Sequence, residues 1–215
     1  GGLSERESLA LLATAYDAGI RHFDVAPSSG HGLAERCLGI FLRGKTAEVT
    51  VATKYGILPP QHPGLLGAAR SIVRPVVRRL PAIRKRVAQA AAGLAPKANF
   101  SVDEAQRSLD RSLRELDVDR IDVWLLHEAT AEELDHSDLL PFLQRAQQRG
   151  RIGVYGVGAE RMRLQVIWQR HRAYCPLLQF EWSVLDAAAQ FPGAFLICHR
   201  SVSGALQVMV NHFER

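Results

Sequence analysis

Apolar positions along the chain alternate between two rhythms. "ERESLALLATAYDA" (5–18) carries Leu9, Leu12, Ala13 and Tyr16 at helical spacing, and Gly19 follows as a stop. "IRHFDV" is a short buried strand, "LAERCLGIFLRG" (33–44) a helix closed by Gly44, and "AEVTVATK" (47–54) a β-branched strand ending in a lysine. In "SVDEAQRSLDRSLRELDV", Ser101 with Glu104 three residues later predicts a capping box heading an amphipathic helix. The strand "RIDVWLLHE" (120–128) follows, then the helix "DLLPFLQRAQQRG", the strand "RIGVYGVG" and the helix "ERMRLQVIWQRH". "CPLLQFEWSVL" and "AFLICHR" are two further strands. Near-continuous apolar strands separated by helices predict a parallel sheet with covered faces. Six strands of this kind fit either a doubly wound sheet or a (β/α)8 barrel.

A length of 215 residues with 47% hydrophobic composition predicts one globular domain. No apolar run approaches the roughly 20 residues of a transmembrane segment. The opening "GGLSERESLALL" has no initiating Met, and further residues are expected before it. Three widely spaced cysteines, Cys37, Cys175 and Cys198, form no C-x-x-C and fit a reducing, cytoplasmic setting.

Charge divides the chain. Between Gln61 and Phe100 lie eight basic residues and no acid, whereas the remainder holds 19 basic and 22 acidic residues. This stretch, about 58–100, is too long for an ordinary βα connection and reads as a basic insert outside the sheet. Ile72, Val73, Val76, Val77, Leu80, Ile83 and Val87 recur at helical intervals among its arginines, broken by Pro75 and Pro81. The insert fits a cover over the mouth of a barrel or a solvated face; its basic residues 70–97 also offer contact with an anionic surface. Without interleaved aromatics, nucleic acid is not an expected partner.

Three polar groups stand at successive strand ends: Asp24, Lys54 and His127. Singly, each has an ordinary structural explanation as a turn residue, a solvated charge or a satisfied histidine. Together they are chemically matched. A carboxylate can hold an ammonium in place, the ammonium can lower the pKa of a neighbouring hydroxyl, and an imidazole can polarise a carbonyl. Such groups gathered at one end of several strands favour the barrel. No G-x-G-x-x-G follows the first strand, which speaks against a dinucleotide-binding doubly wound sheet.

"GIRHFDVAPSSGHGLAERCLG", "VTVATKYG", "SLRELDVDRIDVWLLHE" and "LLQFEWSVLD" resemble, in order and spacing, the signatures of the aldo-keto reductases. The resemblance spans residues 5–185. It implies a (β/α)8 TIM barrel, of which six strands are recognisable here, binding NADP(H) or NAD(H) in an extended pose. It implies reduction of an aldehyde or ketone, a small-molecule carbonyl substrate, by an Asp–Tyr–Lys–His tetrad. Asp24, Lys54 and His127 match three members. At the tyrosine position stands Ser29, a shorter and far weaker acid. Tyr55, next to Lys54 on a strand, is expected to point the other way.

The resemblance also assigns cofactor contacts. Gln179 matches the glutamine that meets the nicotinamide amide. Where the family has a Ser–Asn pair, this chain reads Gly156-Val157-Gly158-Ala159, with Gly158 offering no side-chain donor. Cys198 or His199 lies nearest the place of the tyrosine beneath the nicotinamide ring. Two functions follow: an NAD(P)H-dependent oxidoreductase, or a catalytically impaired barrel that binds a ligand or partner.

Overall fold

The computed structural model describes residues 3–56, 100–135, 137–187, 190–202 and 206. The basic insert and its proposed anionic contact, residues 70–97, lie outside the described residues. Six parallel strands form one sheet in sequential order: β1 (His22–Asp24), β2 (Thr50–Tyr55), β3 (Ile121–His127), β4 (Ile152–Gly158), β5 (Leu177–Glu181) and β6 (Phe195–His199). A doubly wound sheet reverses its strand order part-way. This one does not.

The sheet is also curled. Four strand spacings of about 4.8 Å would separate β1 from β5 by about 19 Å in a flat sheet. Instead, Gln179 Nε2 on β5 donates to Asp24 Oδ2 on β1 at 2.8 Å. The arrangement is six strands of a (β/α)8 barrel.

Alternation along each strand separates the two faces. Phe23, Val51, Tyr55, Trp124, Leu126, Tyr155, Val157, Leu178 and Phe180 point outward into the main core beneath the helices. Ala52, Val123, Leu125 and Leu177 form a smaller inner cluster, with Val154 and Ile197 packed against it.

Helices α1 (Glu5–Asp17), α2 (Ala34–Leu42), α3 (Val102–Leu116), α4 (Ala131–Asp135), α5 (Leu139–Gln148) and α6 (Arg161–Arg170) accompany the strands. In α3, Ala105, Leu109 and Leu116 lie on one stripe and are fully buried. Burying a leucine fully contributes about 1.5–3 kcal/mol. Ser101 Oγ accepts from the Glu104 N–H at 3.3 Å, whereas the Glu104 carboxylate turns to Arg107 at 2.9 Å. A complete capping box heads α1, where Ser4 Oγ accepts from the Glu7 N–H and Glu7 returns a bond to the Ser4 N–H. On α1, Leu9, Leu12, Ala15 and Tyr16 pack on the core, while Ala13 is exposed. Ala13 stands about 100° around the helix from Leu12, which takes it off the stripe.

Gly39 lets α2 and α3 meet. A Cβ there would lie 2.4 Å from the Glu115 carbonyl oxygen, so only glycine allows this approach. Cys37 and Cys175 are buried free thiols and Cys198 is an exposed one. Among the described residues no helix is long and apolar enough to cross a membrane.

Candidate active site

The C-terminal strand ends converge on one mouth. Asp24 closes β1, His127 closes β3, and Lys54 stands one residue before the end of β2. Pairing puts Lys54 beside Leu125, and His127 beside Gly158, which in turn pairs with Gln179. The three expected groups therefore share the inner face, staggered as a curled parallel sheet requires.

The Asp24 carboxylate is held from two sides. The Lys54 ammonium pairs with one oxygen, and Gln179 Nε2 donates to the other at 2.8 Å. The Lys54 ammonium also donates to the Val25 carbonyl oxygen at 3.4 Å. The lysine and aspartate side chains are 13% and 30% exposed, so the pair is partly withdrawn from solvent yet open to the mouth. Gln179 is itself buried.

Burial holds the His127 imidazole below its usual pKa, and the Lys54 charge pushes the same way; the Asp24 charge opposes both. At neutral pH the ring is thus neutral, with one N–H to donate and one nitrogen to accept. Both charges act on His127, which places all three groups in one electrostatic environment.

Ser29 begins a short 3-10 helix, Ser29–Gly32, directly after β1. Its backbone N–H donates to the Ala26 carbonyl oxygen at 2.9 Å, and the residue is exposed. Tyr55 supplies no phenol to this mouth. It points outward, stacks on Trp124 with ring centroids 5.1 Å apart, and donates its hydroxyl to the Ser101 carbonyl oxygen at 2.9 Å.

At Gly158 an added Cβ would come within 3.5 Å of Gln179 Oε1, so the missing side chain leaves space beside that amide. His199 closes β6 but is exposed and level with Glu181, two residues beyond Gln179 along the mouth. The structure thus brings Asp24, Lys54, His127, Gly158 and Gln179 together. His199 and Ser29 lie toward the rim.

A wide cleft of about 1010 Å³ opens at the other end of the sheet, lined by Val49, Val51, Asp119, Arg120, Asp122 and Arg151 among others. Two of its arginines already have carboxylate partners: Arg120 faces Asp122, and Arg151 pairs with Asp110. Catalytic groups of a barrel gather at the opposite, C-terminal face, where the Asp24–Lys54 pair stands.

The family model described as the aldo/keto reductase family matches residues 1–193. The chain belongs to the aldo/keto reductase family. D-threo-aldose 1-dehydrogenase from a Pseudomonas species is 31% identical over 164 residues, 73% of this chain and 45% of the relative. Pyridoxal 4-dehydrogenase of Microbacterium luteolum is 29% identical over 168 residues, 70% of this chain and 42% of the relative. The chain therefore spans less than half the length of these curated relatives. Among solved structures, an aldo-keto reductase from Bacillus halodurans in its holo form superposes with a TM-score of 0.70 at 20% identity, covering 95% of this chain and 60% of that one. One from Klebsiella pneumoniae in complex with NADPH gives 0.58 at 17% identity, covering 94% and 60%. These structures share the fold of this aldo/keto reductase.

Two further groups, one buried and one bridging, support the mouth without any motif that assigns them to it. Glu35 of α2 is 3% exposed and accepts from Thr53 Oγ1 at 2.7 Å, tying α2 to the strand that bears Lys54. Arg163 on α6 binds Glu128, the residue after His127. Glu35 stands within the quoted "AERCLG" signature, so a signal existed. Arg163 had none, since its partner is 35 residues away.

Proposed function

We propose that this aldo/keto reductase transfers a hydride between NADP(H) or NAD(H) and a small carbonyl or alcohol, with Asp24, Lys54 and His127 around the reacting carbon. The observation that carries this reading is the Asp24 carboxylate bridged by Lys54 and Gln179, with His127 closing the neighbouring strand end. The residues fit a nicotinamide: Gln179 offers a buried amide, Gly158 leaves space beside it, and His199 stands farther out on the same rim. When bound, that cofactor supplies or accepts the hydride.

The remaining chemistry falls to the protein. His127 donates its N–H to the carbonyl oxygen and fixes the substrate's orientation. The Lys54 ammonium, held by Asp24, stabilises negative charge as it develops on that oxygen. Ser29, standing at the tyrosine position, is too weak an acid to deliver a proton readily, so protonation limits the rate. Relatives named for oxidation of an aldose and of L-galactose support polyhydroxy aldehydes and their cyclic forms as the substrate class. The protein works as one barrel unit in the cytoplasm.

Ser29 also favours a second reading, in which the barrel binds a ligand or partner without turnover. Fluorescence titration with NADPH and NADH, followed by assay of an aldehyde, ketone and aldose panel, separates the two. Binding with slow turnover that rises in Ser29→Tyr supports the oxidoreductase. Binding with no turnover in either form supports the second reading. Failure to bind either cofactor contradicts the oxidoreductase.

A further inference from the structure

His127 leaves β3 through an unusual bend. The next residue, Glu128, has φ +58, a left-handed conformation that residues other than glycine adopt rarely and at a cost. Something must hold it. The Glu128 N–H donates to the Gly158 carbonyl oxygen at 2.8 Å, anchoring one side of the bend to β4. On the other side, Arg163 Nη1 donates to the Glu128 carbonyl oxygen at 2.8 Å and to its carboxylate Oε2 at 2.9 Å.

Arg163 is itself in an awkward place. It is the third residue of α6, where the positive end of the helix dipole disfavours a cation. A surface ion pair alone contributes little, and these side chains are 37% and 42% exposed. The backbone contact is what distinguishes this pair, because it acts on the peptide unit that follows His127.

We propose that Arg163 is a positioning residue that pins the left-handed Glu128 backbone and thereby fixes the His127 ring at the mouth beside Lys54 and Asp24. The catalytic consequence rests on the function proposed above; the positioning itself does not. Charged groups facing His127 are Lys54 from β2 and Asp24 from β1, while β4 and β5 present the uncharged Gly158 and Gln179.

The test follows the His127 ring resonance through a pH titration of the full chain, assigned by its loss in His127→Gln. Neither cofactor nor substrate is needed. In Arg163→Met the released ring gains water, and its midpoint rises toward the ordinary histidine value. If hydride transfer occurs, kcat/KM falls tenfold to on the order of 10²-fold while cofactor binding persists.

Glycine accepts positive φ without cost, so Arg163→Met/Glu128→Gly recovers the native midpoint. Arg163→Met/Glu128→Gln is equally balanced in charge but lacks that freedom, and it stays perturbed. An unmoved midpoint in Arg163→Met overturns the proposal. So does equal recovery in both double variants, which would make the effect one of charge alone. Should Arg163→Met fail to fold, restoration of folding by Glu128→Gly supports the proposal and continued failure overturns it. A chain that shows the titration pattern but never turns over refutes the function and keeps the positioning role.

Discussion

Replacing Asp24 with asparagine removes one negative charge from the mouth and almost no volume. In the native protein two donors, Lys54 Nζ and Gln179 Nε2, converge on the two carboxylate oxygens. Asparagine offers one oxygen and one NH₂ group. Gln179 can turn its amide over and accept from the new NH₂, leaving the oxygen for Lys54. Both bonds then keep a partner but lose the charged acceptor, at about 1 kcal/mol each. Together, for a chain of this size, that is about 4–8 °C in Tm. His127 responds in a definite direction. Lys54 pushes its pKa down and Asp24 pushes it up, so Asp24→Asn leaves the lysine unopposed and lowers the midpoint further. Lys54→Met has the opposite sign. Histidine ring titration by NMR, with thermal unfolding on the same samples, reads both quantities. A midpoint that rises or stays fixed in Asp24→Asn would refute the shared electrostatic environment. A collapse in Tm would mean that the pair holds the fold together rather than equips the mouth.

Burial raises the Glu35 pKa above its ordinary 4.5, against the opposing bond from Thr53. The folded chain therefore keeps that proton to higher pH than the unfolded chain does. Its stabilising effect is complete below about 4.5 and is lost as pH rises through the raised value. Glu35→Gln lacks this slope, so urea midpoints of the two proteins should separate in favour of the variant as pH rises from acid to neutral; a constant gap contradicts the assignment. A Cβ on Gly156 would lie 2.0 Å from the Leu177 carbonyl oxygen. Gly156→Ala should therefore push β5 off β4 and cost about 1–3 kcal/mol in urea unfolding, and an unaffected midpoint would show the strands are not packed this closely. Ser29→Tyr should raise kcat by about 10²-fold, the low end of what general acid catalysis contributes, with less change in KM. An unchanged kcat with cofactor bound would remove protonation as the slow step.

Strands and long helices were legible because each carries many residues of one period. "RIDVWLLHE" and "RIGVYGVG" contain β3 and β4 to within a residue or two at each end. The Asp24–Lys54 pairing was also legible, since successive strand ends of a parallel sheet share one side. Short elements were not. The 3-10 helix Ser29–Gly32 has too few residues for a period, though α4 did carry a readable sign: Thr130 and Glu133 cap it reciprocally, at 2.8 and 3.2 Å. Ala13 fits the stripe of α1 by spacing alone, because alanine is neutral evidence on either face. The contacts that finish the mouth arise only from curling. Gln179 was expected to face a cofactor amide, and its bond to Asp24, 155 residues away, depends on β5 coming round to β1. Glu128 looked like a plain strand end, because nothing local announces a left-handed backbone at a glutamate.

We propose that hydride transfer takes place at the Asp24–Lys54–His127 mouth. Its most direct test is the rate of nicotinamide absorbance change with an aldehyde and with an aldose, in the native chain and in Lys54→Met. Turnover should be slow but measurable in the native chain and fall on the order of 10²-fold or more in the variant, with cofactor binding retained. Equal rates in the two proteins would contradict it.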